Sequence, residues 1–179
     1  FVTNCSGGSM KWITATSLGQ WAETAQAKNN FPGLVGDLIR ASAPHISAYR
    51  FPTGDKGQVR GFDGNLLAQE APPFVPGGES IWEFGVTKDY EGKANDDFNS
   101  RVETVDAATR ATTTFVFVTP QTWNKGNKKI TDWLQDKRDL NEWKAVEFID
   151  GSMLESWLDK HPAVAARYAR EVLKTAPPT

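Results

Sequence analysis

The chain has 179 residues, of which 39% are hydrophobic and 23% are charged, and this composition predicts one folded domain with a hydrophobic core. The formal net charge is −2, so nucleic-acid binding would depend on a local basic patch and not on overall charge. The single cysteine, Cys5, excludes an intramolecular disulfide, and a Cys/His zinc site is excluded because no second cysteine accompanies the two histidines. We therefore expect a reducing, cytoplasmic environment.

No block of like charge and no low-complexity tract marks a linker to a second domain. Residues 1–9 precede Met10 and resemble a flexible, disordered leader that is foreign to the native chain. The predicted domain therefore covers residues 10–176. No apolar run approaches the roughly 20 residues that a membrane-spanning helix needs. We expect a single domain that has no membrane segment.

Two helices are predicted at the start of this domain. Ser17, with Gln20 three residues later, has the pattern of a capping box and predicts a first helix that continues to about Lys28. Pro32 is suited to the first turn of a second helix, and apolar residues then recur on one face until Pro44. We expect these two helices to form one layer of the fold.

The rest of the sequence changes repeatedly between strand and helix patterns. Strands are predicted at 46–51, 64–69, 80–86, 113–119 and 143–149, and helices at 89–102, at 128–138, from Ser152 and from Pro162. The run at 113–119 is almost wholly β-branched and aromatic, which is typical of a central strand buried on both faces. Alternation in the second half implies parallel strands with covering helices. The predicted fold is α/β, a mixed sheet flanked by helices in the order ααβββαβαβαα.

Two acidic residues occupy unusual positions on adjoining predicted strands. Asp63 precedes Gly64 at the start of one strand, and Glu83 lies between Trp82 and Phe84 in the next. A period of two directs Glu83 away from these two aromatic residues. A carboxylate in an apolar strand is costly to desolvate unless a cation, a proton or a partner compensates it. Two such carboxylates are a common way to hold Mg²⁺ for phosphodiester hydrolysis.

Each acid also has a purely structural interpretation. Asp63 and Gly64 form a dipeptide that is typical of turns, in which aspartate bonds its own backbone. Glu83 would equally suit a salt bridge on an edge strand. The order of the elements around the two acids favours the metal site.

That order resembles the restriction-endonuclease-like, or PD-(D/E)XK, nuclease superfamily. The segments 59–64, 75–85, 93–101 and 114–123 resemble more narrowly the nuclease-like amino-terminal modules of bacterial defence proteins that carry a STAND, or NLR-like, P-loop ATPase. The resemblance implies that Asp63 and Glu83 hold Mg²⁺ or Mn²⁺ and that DNA is the substrate. It also implies an effector module in the bacterial cytoplasm, joined to an ATPase sensor region and activated as a homo-oligomer.

The sequence departs from the superfamily pattern at its third position. The pattern places a lysine two residues after the second acid, where this chain has Gly85. Lys88, after the strand, and Lys93, on the following helix at one-turn spacing from Asp97 and Arg101, are the candidate catalytic replacements. The same three helical residues would also suit a solvated face with i,i+4 ion pairs.

The remaining candidates have less specific patterns. Glu79, and also Glu23, would extend the metal shell. Candidate nucleic-acid contacts are Lys56, Gln58, Arg60, Lys125, Lys128 and Lys129. Trp123 and Trp133 flank the last three and would stack on a base. Acidic neighbours nearly cancel the charge of 125–138, so an ordinary surface is the alternative. The loop at 53–57 lacks the ending of a Walker A motif.

The sequence thus predicts a metal-dependent DNA endonuclease that serves as the effector domain of an anti-phage defence protein. The alternative is a catalytically inactive module of the same fold that binds DNA or a protein partner. Gly85 and the negative net charge favour this alternative. A small-molecule enzyme that uses the same acids is a third class, and no cofactor motif supports it.

Overall fold

A computed structural model describes residues 12–51 and 64–174 of the chain. The predicted leader at 1–9 and four predicted site residues, Lys56, Gln58, Arg60 and Asp63, lie outside the described residues. Within the described ranges, no helix has the length and apolar character needed to cross a membrane.

Seven helices and five strands make up the described part of the chain. The helices are α1 (Ala15–Trp21), α2 (Ala25–Ser42), α3 (Tyr90–Thr104), α4 (Ala107–Arg110), α5 (Ile130–Asp139), α6 (Gly151–Asp159) and α7 (Pro162–Leu173). The strands are β1 (Ile46–Arg50), β2 (Gly64–Ala68), β3 (Gly78–Phe84), β4 (Thr113–Val118) and β5 (Ala145–Ile149). This is the predicted order with one addition, the four-residue helix α4, and it confirms the mixed α/β class.

The five strands form one sheet in the order β1-β2-β3-β4-β5. Strand β2 is antiparallel to both of its neighbours, whereas β3, β4 and β5 are parallel to one another. Helices follow β3 and β4 because a chain must cross back over the sheet before it can add a parallel strand. Strand β4 is buried along its whole length, which confirms the prediction of a central strand.

Helices cover both faces of this sheet, and each face has its own hydrophobic core. Helices α1, α2, α6 and α7 contribute to one core, and α3 and α5 contribute to the other. Strand β3 sends Trp82 and Phe84 into the first core and Ile81 into the second, as the period of two predicts. Trp133 and Trp157 are also buried. The face below α3 is therefore the face to which Glu83 belongs.

Two helices begin earlier in the chain than predicted. Thr14 is extended (φ −105°, ψ 162°), and its hydroxyl accepts the Ser17 N–H at 3.1 Å, so the capping box of α1 lies three residues earlier than predicted. Asp150 begins α6 in place of Ser152, because the Asp150 carboxylate accepts the Met153 N–H at 3.1 Å. In both cases the residue that binds the first free N–H groups sets the start of the helix.

The predicted boundary between the first two helices is wrong. Helix α1 ends at Trp21, and α2 begins at Ala25 after its N-cap residue, Thr24. Pro32 therefore lies in the interior of α2 and not in its first turn. An interior proline costs about 3 kcal/mol of helix stability. Burial of one face of α2 in the core compensates for this cost.

Candidate functional site

Glu83 is a buried carboxylate near the end of β3. The residue is 1% exposed, and it pairs across the sheet with Phe117 of β4. A buried carboxylate is strongly destabilising unless an opposite charge or hydrogen-bond donors balance it. Arg101 of α3 provides such a charge, because its Nε donates to Glu83 Oε1 and its own side chain is only 19% exposed.

Helix α3 presents Arg101 in a stripe of charged residues at the margin of the core. Lys93, Asp97 and Arg101 follow one another at one-turn spacing, beside the buried stripe that contains Ala94 and Phe98. Lys93 Nζ donates to Asp97 Oδ1 at 2.6 Å, and the Asp97 side chain is 13% exposed. The i,i+4 ion pair expected of a solvated face is therefore present, but only Lys93 is substantially exposed, at 39%, whereas Asp97 and Arg101 are largely enclosed.

Gly85 makes room for the stem of Lys93. A Cβ atom added at Gly85 would lie 2.8 Å from Lys93 Cγ and 2.8 Å from Phe117 Cζ, which is closer than carbon atoms pack. Lys93 therefore occupies the space in which a side chain at position 85 would begin. A lysine from α3 thus stands beside the position where the resembled pattern has a lysine on the strand, with its ammonium group bound to Asp97.

Lys88 and Glu23 bind each other. Lys88 Nζ lies 2.8 Å from Glu23 Oε1, and this hydrogen bond raises the pKa of Lys88. Both side chains are largely exposed, and they line an open cleft of about 500 Å³ together with Ala22 and Lys28. Lys88 and Glu23, predicted as a catalytic lysine and a metal ligand, therefore form an ion pair with each other.

Glu79 lies at the opposite end of β3 from Glu83. It is exposed and four residues away along the strand, a separation of about 13 Å at roughly 3.3 Å per residue. Two ligands of one Mg²⁺ ion each lie about 2.1 Å from it. Glu79 is therefore too distant to share an ion with Glu83.

The candidate basic residues after β4 lie close to the start of α3. Lys128 Nζ is 2.5 Å from Glu91 Oε1, and this hydrogen bond raises the pKa of Lys128. Lys125 Nζ lies 4.9 Å from the centroid of the Tyr90 ring, and Lys129 is exposed. The loop thus presents three lysines, two of which already contact α3.

The two tryptophans near these lysines differ in access to solvent. Trp133 is 1% exposed and packs against Phe148, so it is not available to stack on a base. Trp123 is partly exposed, and its Nε1 donates to the Lys128 carbonyl at 2.8 Å. Of the two, only Trp123 is exposed enough to stack on a base, as predicted for both.

The donor chemistry of the site fits a hard divalent cation. Glu83 and Asp97 are carboxylates carried by neighbouring elements, and Mg²⁺ and Mn²⁺ prefer oxygen ligands. No three Asp, Glu, His or Cys side chains converge among the residues that the structure describes. Strand β2 begins at Gly64, which pairs with Trp82 next to Glu83, and Asp63 directly precedes Gly64 in the sequence.

Arg101 is the site residue whose contact the sequence analysis did not predict. Two signals were present: the need of a buried Glu83 for a counter-charge, and the one-turn spacing of Arg101 from Lys93 and Asp97. The chain matches no protein-family model, no curated protein and no solved structure.

Proposed function

We propose that this chain is a metal-dependent endonuclease that hydrolyses phosphodiester bonds of DNA, with Asp63 and Glu83 as ligands of Mg²⁺ or Mn²⁺. One observation carries the proposal: a buried carboxylate on β3 lies below a helix that supplies a lysine beside Gly85. Charged side chains are rarely buried, so a group of them gathered in an enclosed place is a candidate functional site.

Each described residue of the cluster has a role in this proposal. Glu83 offers its carboxylate oxygens from a rigid, buried strand, which keeps their position well defined. The Lys93 ammonium group would orient the attacking water and offset negative charge on the phosphate after release from Asp97. A divalent ion, when bound, would lower the pKa of water and polarise the scissile phosphate.

The biological setting follows from the resemblance to defence nucleases. We propose that the chain is the effector module of a bacterial anti-phage protein whose ATPase region brings copies of the module together. The proposed DNA contacts are Lys56, Gln58, Arg60, Lys125, Lys128 and Lys129. Lys128 would exchange Glu91 for a backbone phosphate, which makes DNA binding strongly dependent on salt.

A second candidate function is a module that binds DNA or a protein partner without hydrolysis. The charge balance of the site favours it, because Glu83 and Asp97 are each bound to a cation of α3. Salt bridges of this kind stabilise a scaffold without any need for a metal ion. Cleavage assays separate the two functions.

The decisive assay is metal-dependent nicking of supercoiled plasmid by a concentrated or artificially dimerised protein. We expect nicking with Mg²⁺ or Mn²⁺, and a loss of about 10²-fold or more in Asp63→Asn, Glu83→Gln and Lys93→Ala. Glu79→Gln is the matched control, because it removes an exposed carboxylate at the far end of the same strand. Its nicking rate should equal that of the wild type.

The folded state of each variant is checked by thermal unfolding before its rate is compared. Absence of nicking in every assembled form, with DNA retention unchanged in the three variants, would contradict the endonuclease and support the binding module. Equal losses in Glu79→Gln and Glu83→Gln would show that the assay reports general destabilisation.

A further inference from the structure

The ion pair between Glu83 and Arg101 is more enclosed on its acidic side than any other described ion pair. The Glu83 side chain is 2% exposed, whereas the acids of the other pairs are 13% to 54% exposed. Arg101 reaches Glu83 from a different element, since α3 lies across this face of β3. The guanidinium group therefore occupies one oxygen of the carboxylate that the proposed function assigns to a metal ion.

A guanidinium group and a divalent cation are unfavourable neighbours at one buried carboxylate. Both carry positive charge, and the repulsion between them is weakly screened where water has little access. The two proposed ligands, Asp63 and Glu83, carry two negative charges, which a divalent ion balances without the guanidinium group, so binding of one cation disfavours binding of the other. The strength of the Arg101 contact should then appear as a reduction in metal affinity.

On the basis of the proposed function, we infer that Arg101 is a latch on Glu83, and that the site binds a divalent cation only as the guanidinium group withdraws. Arg101 holds the metal-free fold together by neutralising Glu83, and it also keeps the metal affinity of the resting site low. Removal of Arg101 should therefore lower the stability of the metal-free protein and raise its affinity for metal. In such a variant a divalent cation takes the place of the guanidinium group as the counter-charge of Glu83.

Thermal unfolding of the full chain, followed by tryptophan fluorescence during a titration with MnCl₂ after removal of metal with EDTA, tests the latch. In EDTA, Arg101→Gln should have a lower Tm than the wild type. Half-maximal stabilisation of Arg101→Gln should require about tenfold less Mn²⁺ than that of the wild type. A tenfold change in affinity is typical of two coupled binding events. The double variant Glu83→Gln/Arg101→Gln should show no stabilisation by Mn²⁺, because the carboxylate is absent.

Arg110→Gln is the matched control, since the Arg110 side chain is about as enclosed as that of Arg101 and pairs with a more exposed acid, Glu142, outside the site. It should lower the Tm in EDTA and leave the Mn²⁺ midpoint at the wild-type value. If Arg101→Gln does not fold in EDTA, the latch predicts that MnCl₂ refolds this variant at a concentration that does not stabilise the wild type, and failure to refold with MnCl₂ would overturn it.

Two contrary results are distinguishable. Equal Mn²⁺ midpoints in the wild type and in the Arg101 variant, with the response lost in the double variant, would overturn the latch and leave the metal site intact. No stabilisation by Mn²⁺ in any variant would overturn both the latch and the metal-dependent function.

Discussion

A methyl group at Gly85 would meet Lys93 Cγ and Phe117 Cζ, each at 2.8 Å. The Phe117 ring is buried in the core below α3, and Cγ of Lys93 lies in the stem of its side chain, so neither atom moves without disturbing its surroundings. Gly85 therefore sets how closely α3 approaches β3. This approach in turn sets where Lys93 and Arg101 stand relative to Glu83.

We predict that Gly85→Ala destabilises the protein by about 1–3 kcal/mol, the usual cost of overpacking a core. In a Lys93→Ala background the cost should be smaller, because one of the two close contacts is absent, with a coupling of about 0.5–3 kcal/mol. The free energy of unfolding of the four proteins, from urea denaturation, checks the prediction.

Gly19→Ala is the control for the substitution itself. Gly19 lies in α1, and its added Cβ would have only Gln121 Oε1 near it, at 3.8 Å. We expect this change to stabilise the protein by about 0.5–1 kcal/mol, because alanine loses less backbone entropy in a helix. Strictly additive effects of Gly85→Ala and Lys93→Ala would contradict the close packing of Lys93 on Gly85.

Helix α2 carries an interior proline that its sequence pattern places at a helix start. Pro32 is the eighth residue of α2, so it removes one hydrogen bond to the carbonyl of Lys28 and crowds that turn. The buried residues Phe31, Leu34 and Leu38 hold the helix in place on both sides of it. Tertiary packing of one face thus outweighs a local preference.

We predict that Pro32→Ala raises the free energy of unfolding by about 1–3 kcal/mol, since alanine restores the hydrogen bond and relieves the crowding. Pro162→Ala is the matched control, because Pro162 is the first residue of α7, where proline is well tolerated. Urea denaturation should place the control near the wild type. A lower midpoint for Pro32→Ala would contradict the prediction.

Three helices on one face of the sheet meet at a small hydrogen-bond network around Ser42. The Ser42 hydroxyl donates to the Leu38 carbonyl at 2.7 Å and accepts from Trp157 Nε1 at 2.7 Å. His161 Nε2 lies 3.0 Å from the same hydroxyl oxygen. Because the single hydroxyl hydrogen of Ser42 is already donated to Leu38, His161 Nε2 is the donor in this contact. The network joins the end of α2 to α6 and to the residue that precedes α7.

The partial burial of His161 should make the stability of the protein dependent on pH. Burial, with a smaller contribution from Lys160, lowers the pKa of His161 below its ordinary value of 6.5. The folded protein therefore binds fewer protons at His161 than the unfolded chain as the pH falls below 6.5. The free energy of unfolding should decrease with falling pH across the interval between these two pKa values.

His161→Gln should reduce this dependence, because glutamine has no proton to gain in that interval. Urea midpoints measured between pH 5 and 8 in the wild type and the variant provide the comparison. His45→Gln is the control, since it changes the other histidine, which is exposed and precedes β1. Identical pH profiles for His161→Gln and the wild type would show that His161 does not contribute.

Local patterns were sufficient to predict the order of the elements and the two faces of β3. Strand β4 was recognisable because a run buried on both sides must be apolar throughout. The direction of Glu83 followed from the period of two, which puts it opposite Trp82 and Phe84. These features depend on burial along one segment at a time, so the amino-acid sequence contains them directly.

The contacts of the candidate site depend instead on how two segments approach each other. That Arg101 reaches Glu83, and that Lys93 lies over Gly85, follow from the angle and distance between α3 and β3. The start of α6 at Asp150 depends likewise on which oxygen reaches the free N–H groups. The periodicity of one segment does not contain these distances, because long-range packing sets them.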